Sequence, residues 1–217
     1  MKKKSYLFCL LLAAGVTFIS CRNDDDPPPD PSVTDTGVLI GNIDDTPIRW
    51  ATRNVAESGT FAPTPESVGR FFRWNCRIGM TVTTPETSVS IENWDNTAWS
   101  RVNDPCPQGW RVPTMAELTA LRDAGYSDFT QLNGVYGRFF GTAPNHIFLP
   151  ATGVLFVDGT VFYSGVFGVY WSSTQYNTST YIPITLMGNL QFDNEIGSVV
   201  VFKPVYTLAF GVRCVAE

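Results

Sequence analysis

Two short segments place cysteines where disulfide chemistry is possible. Residues 104–114 (DPCPQGWRVPT) contain Cys106, and residues 211–215 (GVRCV) contain Cys214. Cys76 is the third cysteine in this part of the chain, so one thiol is left over whichever pair forms. A bond between Cys106 and Cys214 would close the second half of the chain into a loop, whereas a bond between Cys76 and Cys106 would not. The residues alone leave the pairing open.

A further cysteine, Cys21, stands where a lipid would be attached. Lysines occupy positions 2–4, residues 6–19 form an apolar run too short to span a bilayer comfortably, and Ser20 precedes Cys21. This order predicts a lipoprotein signal peptide over residues 1–20, with Cys21 as the lipidated first residue of the mature chain. The alternative is an ordinary secretory signal with a cysteine nearby by chance.

The residues after the signal peptide predict a solvated tether over residues 21–36. Three aspartates at 24–26 and four prolines within 27–31 cannot bury apolar surface. The whole chain carries net charge −5, and residues 1–20 contain three lysines and no acid, so the chain without them carries −8. That charge argues against nucleic-acid partners and against adhesion to anionic lipid. The remaining residues 37–217 suit one domain with its own core.

Few residues are suited to catalysis or to holding a metal. His146 is the only histidine in the chain, and no His-Cys cluster is present for zinc. Residues 172–174 (SST) lack a Gly-x-Ser-x-Gly frame, so we expect their hydroxyl groups to satisfy backbone groups at a strand end. Residues 193–195 (DNE) offer oxygen ligands for calcium, but a solvated turn is the favoured interpretation. We therefore expect no metal site, no cofactor and no enzymatic activity.

One helix has clear boundaries. Thr114 and Glu117 are spaced as a capping box, and Gly125 follows at the C′ position, so we predict a helix over residues 115–124. A second, short helix is predicted to begin at Thr64, because a proline occupies its first helical position.

Strands are predicted on both sides of that helix. Alternating apolar residues predict strands at 36–42 and 47–54. After Gly125, short β-branched and aromatic runs predict strands at 147–149, 154–157, 160–163, 169–173, 198–202 and 210–215. We expect a two-residue turn at Asp158-Gly159, and two strands within 181–192 joined through 187–189. The pattern favours an α+β domain, whose core should rely on Trp50, Trp74, Trp110, Trp171 and Phe148.

Five motifs in order resemble one family. They are residues 104–114, Glu117-Leu118, residues 148–153 (FLPATG), residues 170–174 (YWSST) and residues 212–215 (VRCV). In this order they resemble the Fibrobacter succinogenes major paralogous domain, common in exported proteins and lipoproteins of Bacteroidetes and Fibrobacteres. The resemblance spans most of residues 37–217, and the order of the motifs makes it specific.

The resemblance implies a fold and a disulfide. The family is similar to the C-type lectin-like group, with short helices early, a mostly antiparallel twisted sheet of short strands, and long loops. In that group the two ends of the chain pair with each other, and a disulfide joins the first helical region to the last strand. The positions of Cys106 and Cys214 match this disulfide. Cys76 departs from the family pattern and is expected to be a buried thiol; a Cys76–Cys106 bond is the alternative.

The resemblance also implies a function. We expect a non-enzymatic lipoprotein, lipid-anchored in the outer membrane and facing the cell exterior. The acidic run after the lipidated cysteine resembles a surface-export signal of Bacteroidetes; the alternative is a plain acidic linker. Its role would be adhesion to, or recognition of, a glycan or a protein. A component of a fimbrial tip is one kind of protein with such a role. The candidate contacts are aromatic residues in a loop-rich stretch, namely Tyr163, Phe167, Tyr170 and Tyr176; packing in the core is the alternative role for each. The alternative is a structural envelope protein packed against partner subunits, and a calcium-dependent lectin is less favoured.

Overall fold

The computed structural model describes residues 34–81, 99–156, 158–178, 184–192, 197–202 and 208–217, and for residues 175–202 within these ranges it describes the backbone alone. The described elements are mostly antiparallel strands with one α-helix, which confirms the predicted α+β class. The predicted signal peptide, Cys21, nearly all of the tether and residues 193–195 lie outside the described residues.

The elements follow one another in chain order. They are β1 (Val38–Ile43), β2 (Thr46–Asn54), β3 (Trp110–Arg111), α1 (Met115–Asp123), β4 (Thr130–Leu132), β5 (Val135–Thr142), β6 (Asn145–Pro150), β7 (Val154–Leu155), β8 (Val161–Phe162), β9 (Gly168–Thr178), β10 (Ile184–Phe192), β11 (Gly197–Phe202) and β12 (Arg213–Ala216).

The two ends of the described domain meet in one antiparallel sheet, with strand order β1-β2-β12-β3. β1 and β2 form a hairpin through Asp44 and Asp45, both at positive φ, as a two-residue turn requires. β12 pairs with β2 on one side and with β3 on the other, where Val215 lies opposite both Trp50 and Arg111. The last strand is therefore held in the centre of the sheet.

Helix α1 forms as its local sequence predicts. The hydroxyl of Thr114 accepts the Glu117 amide at 3.3 Å, and the Glu117 carboxylate accepts the Thr114 amide at 2.6 Å, which completes the capping box. Leu118 and Leu121 are fully buried against β-strands. Gly125, at φ +95°, follows the helix, a conformation that glycine adopts without strain.

The second half of the chain adds three antiparallel units: β4-β5-β6, β7-β8 and β9-β10-β11. β4 and β5 are absent from the sequence predictions. Asn133 and Gly134 join them at φ +50° and +85°, and this Asn-Gly pair is the sequence signal that could have found the hairpin.

Three local predictions are wrong. Thr64 begins a turn rather than a helix, since its carbonyl accepts the Ser67 amide at 3.2 Å and no helix follows in the described residues around it. Residues 187–189 do not join two strands, because β10 runs through them with a register shift between Met187 and Asn189. The turn at Asp158-Gly159 lies in a five-residue connection, residues 156–160, instead of a two-residue one.

The core is built around buried tryptophans. Trp50, Trp74, Trp171 and Phe148 are buried, as predicted. Trp110 is only half-buried and packs edge-on against Phe61, with ring centroids 5.5 Å apart. Trp74 lies against Trp99 and Trp171 with centroid separations of 5.1 and 5.5 Å. The indole N–H of Trp171 donates to the Phe72 carbonyl at 2.6 Å, so the polar atom of this core residue is satisfied.

One disulfide crosses this core. Cys106 and Cys214 are bonded, with Cα atoms 6.1 Å apart and a sequence separation of 108 residues. Cys76 is buried and takes no part in the bond. The structure thus agrees with the pairing that the resemblance implies and not with the Cys76–Cys106 alternative.

Candidate binding surface

The four predicted contact residues separate in the structure. Tyr163 is exposed at 65%. Phe167 is half-buried against the tryptophan core. Tyr176 lies in β9, but its side chain is outside the described residues. Tyr170 is completely buried, so its prediction as a ligand contact is wrong.

Tyr170 is instead part of a buried polar network. Its hydroxyl donates to the Pro150 carbonyl at 2.9 Å and accepts from the Asn54 amide at 3.2 Å. Asn54 in turn accepts from the Arg213 guanidinium at 2.9 Å. Burial raises the pKa of Tyr170 to about 12 and lowers that of Arg213 to about 10. The network joins β2, β6, β9 and β12, and its role is to hold these strands together.

The segment around Tyr163 is an exposed loop with a fixed backbone. The Tyr163 carbonyl accepts the amides of Val166 and Phe167, both at 3.0 Å, and the Gly165 amide donates to the Ala151 carbonyl at 2.8 Å. Tyr163 has φ +60°, an uncommon and strained conformation for a bulky side chain. A strained residue that is also exposed points to a role other than packing.

Aromatic side chains continue along this loop. The rings of Phe156 and Phe162 meet edge to face at 4.7 Å, and Phe162 lies 6.4 Å from Tyr163. Phe162 and Val166 are exposed at 45% and 51%. Large apolar side chains that remain open to solvent next to one another mark an interaction surface more often than isolated ones do.

A second aromatic group, absent from the sequence predictions, lies beside the loop. Tyr126 and Tyr136 are exposed at 42% and 46%, and Phe129 stacks on Tyr136 with centroids 5.7 Å apart and an angle of 11° between ring planes. The buried Arg138 guanidinium lies 5.3 Å from the Tyr126 ring centroid and 5.9 Å from that of Phe129. Such cation–π contacts are worth about 0.5–2 kcal/mol each.

The two groups adjoin at Gly165. A side-chain carbon at Gly165 would lie 3.8 Å from the Tyr136 ring, so the loop passes directly beside that ring. We name the combined region the aromatic surface, and its exposed or half-exposed members are Tyr126, Phe129, Tyr136, Phe162, Tyr163 and Val166. The sequence signal for the second group was the Asn-Gly hairpin, which places Phe129 and Tyr136 near one another.

The charged residues of the 104–114 segment are used by the scaffold. The Asp104 carboxylate accepts the Cys106 amide at 2.9 Å and the Val112 amide at 3.0 Å, which folds the segment back on itself. Burial raises the pKa of Asp104, against the effect of these hydrogen bonds. Arg111 donates to both oxygens of Glu117 at 2.8 and 2.5 Å, the bidentate geometry that Arg–carboxylate pairs favour.

The hydroxyl-rich motif in β9 has a similar role. The Met115 amide donates to the Thr174 hydroxyl at 2.9 Å, and Ser173 donates through both its amide and its hydroxyl to the Pro113 carbonyl. As predicted, these side chains satisfy backbone groups, although they lie within β9 rather than at its end. The motif closes β9 onto the start of α1.

No protein-family model, curated protein or solved structure matches the chain. The aromatic surface is therefore defined by the geometry of this chain alone. It is the part of the described structure where exposed side chains, backbone strain and a rigid support coincide.

Other features of the described residues offer less to a ligand. His146 stacks on Phe139 with centroids 4.6 Å apart. The described part of the chain contains no group of three or more His, Cys, Asp or Glu side chains placed to hold a metal ion. A groove of about 430 Å³ between β1 and α1 is lined mainly by small side chains, with Asp123 as its one ionisable group.

Among described helices, none has the length and apolar character needed to cross a membrane.

Proposed function

We propose that this chain is a non-enzymatic cell-surface lipoprotein that recognises a glycan or a protein through the aromatic surface. The observation that carries the proposal is Tyr163, an exposed tyrosine at positive φ on a loop fixed by backbone hydrogen bonds. Tyrosine is common at recognition sites because it offers a large apolar ring and a hydroxyl group at a low entropic cost.

The polar residues of the motifs support this assignment indirectly. Asp104, Arg111, Glu117 and Thr174 each form hydrogen bonds within the scaffold, so these motif residues support the frame of the domain and leave the aromatic surface for recognition. A C-type lectin-like fold is part of the proposal. It is supported by the pairing of the chain ends in one sheet and by the disulfide from the segment before α1 to β12.

The anchor is proposed on the sequence. Cys21 would carry the lipid, residues 21–36 would act as spacer, and the domain would face the cell exterior from the outer membrane. Labelling of whole cells with a palmitate analogue should mark the wild-type protein and not the Cys21→Ala variant. Protease treatment of intact cells should remove the domain, and a domain that survives treatment would contradict the outward orientation.

Recognition is tested with the folded mature protein. A glycan array and a panel of immobilised matrix proteins should show binding without turnover of the ligand, and added chelator should leave it unchanged. Loss of binding with chelator would favour a calcium-dependent lectin. Blank results on both panels, together with co-purification of a stoichiometric envelope partner, would favour the structural alternative.

A further inference from the structure

The Phe129–Tyr136 pair gives the aromatic surface a flat, supported face. The two rings are within 11° of parallel, and the Tyr136 ring remains 46% exposed. Parallel stacking turns one face of each ring towards its neighbour, so the exposed part of the Tyr136 ring is the surface that remains for a ligand. The feature therefore offers an apolar plane with a phenol hydroxyl at its edge.

The support beneath this face is rigid. Arg138 is 4% exposed and donates to the Ser127 carbonyl at 2.7 Å while its guanidinium contacts the Tyr126 and Phe129 rings. Ser127 is bound to β5 twice, since its amide donates to the Phe139 carbonyl at 2.9 Å and its hydroxyl accepts the Phe139 amide at 3.0 Å. A face ordered before binding loses little conformational entropy when a ligand arrives.

The charges around this face select among ligands. Asp128, next to Phe129 in the chain, is exposed, and the Glu66 carboxylate accepts a hydrogen bond from the Asn133 side chain in the β4–β5 turn at 2.9 Å. Arg138, the cation that contacts the Tyr126 and Phe129 rings, is buried and already hydrogen-bonded. Like charges facing each other disfavour association, so a sulfated or carboxylated chain is a poor fit.

We propose that the aromatic surface binds a neutral polysaccharide, with a sugar ring stacked on Tyr136. This inference rests on the proposed recognition function. A pyranose ring presents an apolar C–H face that matches an aromatic plane, while its hydroxyl groups remain available for hydrogen bonds. Because Tyr163 lies on the loop that passes beside Tyr136, the surface offers two aromatic contacts and suits a chain of several sugar units.

The test uses the mature protein in affinity gels that contain either neutral or acidic polysaccharides. The neutral probes are a soluble β-glucan, a xylan and a galactomannan, and the acidic probes are heparin and chondroitin sulfate. Wild type should be retarded by at least one neutral probe, and that retardation should persist at high salt. Tyr136→Ala should weaken the interaction about tenfold, whereas Tyr136→Phe, which keeps the ring, should retain most of it.

Two controls keep the outcome clear. Val102→Ala removes an exposed apolar side chain that is not a member of the aromatic surface, and it should leave binding unchanged. Thermal unfolding checks that each variant is folded, and Phe129→Leu replaces Tyr136→Ala if the latter is not. Binding to heparin or to a matrix protein alone, or neutral binding that is unchanged in the folded Tyr136→Ala or Phe129→Leu variant, would overturn this inference and leave the recognition function standing. No binding to any glycan or protein would overturn both.

Discussion

The backbone amide of Met115 donates to the side-chain hydroxyl of Thr174, 59 residues further along the chain, at 2.9 Å. This bond joins the first turn of α1 to β9, and so connects two motifs that are far apart in sequence. The amides of a helix's first turn have no partner within the helix, and here a strand side chain supplies one.

Replacing Thr174 should therefore destabilise the domain. Thr174→Val keeps the shape of the side chain but leaves the Met115 amide without its acceptor, at an expected cost of about 1 kcal/mol in the free energy of unfolding. Thr174→Ser retains the hydroxyl and should cost less. Denaturant unfolding of the three proteins compares their free energies of unfolding. A larger loss in the Ser variant than in the Val variant would show that the methyl group contributes more than the hydrogen bond.

A second prediction concerns pH. Burial alone would raise the pKa of Glu117, but the hydrogen bonds from Arg111 and Thr114 outweigh it and hold the pKa below the ordinary 4.5. The folded state thus favours the ionised form, so its stabilising contribution is present above pH 4.5 and is lost as the pH falls through the lower, folded-state pKa.

The Glu117→Gln variant isolates that contribution. It should unfold about 2 kcal/mol more easily than wild type at neutral pH, because a charge-assisted bidentate pair is lost. The difference between the two proteins should shrink when unfolding is measured below pH 4.5. A gap that stays constant from neutral to acidic pH would mean that the charge of Glu117 is not what stabilises the segment.

The disulfide should contribute strongly to stability. Its 108-residue separation corresponds to about 4–5 kcal/mol in the chain-entropy model. The double variant Cys106→Ser, Cys214→Ser should therefore lose much of the domain's stability, while Cys76→Ser should keep the bond. Peptide mapping without reductant identifies the linkage directly, and a peptide containing Cys76 joined to Cys106 would contradict it.

The sequence predicted some elements well because their signals are local. The capping box at Thr114 and Glu117 is made by neighbours in the chain, and the structure contains it as predicted. Tyr170 shows where local patterns fail. In most strands one face is exposed, but β9 is covered on both faces at this point, so Val169, Tyr170 and Trp171 are all buried. The alternation of apolar and polar residues along the strand therefore could not distinguish a buried tyrosine from an exposed one.

The aromatic surface depends in part on contacts that no sequence pattern contains. Phe129 and Tyr136 belong to segments on either side of a hairpin, and Gly165 comes from a different unit of the fold. The pairing of β4 with β5 brings Phe129 beside Tyr136, whereas Gly165 reaches Tyr136 because both residues hydrogen-bond to Ala151. Composition could indicate many aromatic residues, but not which of them share one exposed face.

A variant at Tyr163, where the backbone is strained, can distinguish a role in recognition from a role in stability. A backbone φ of +60° is strained for a residue with a bulky side chain such as Tyr163, whereas asparagine adopts this left-handed conformation readily. Since Tyr163 is 65% exposed, Tyr163→Asn removes little buried area. The variant should therefore be as stable as wild type or up to about 1 kcal/mol more stable, and yet bind its ligand at least about tenfold more weakly. Thermal unfolding and affinity-gel retardation, measured on the same preparation, test both halves. A variant that loses stability while keeping full affinity would show that Tyr163 serves the fold rather than the ligand.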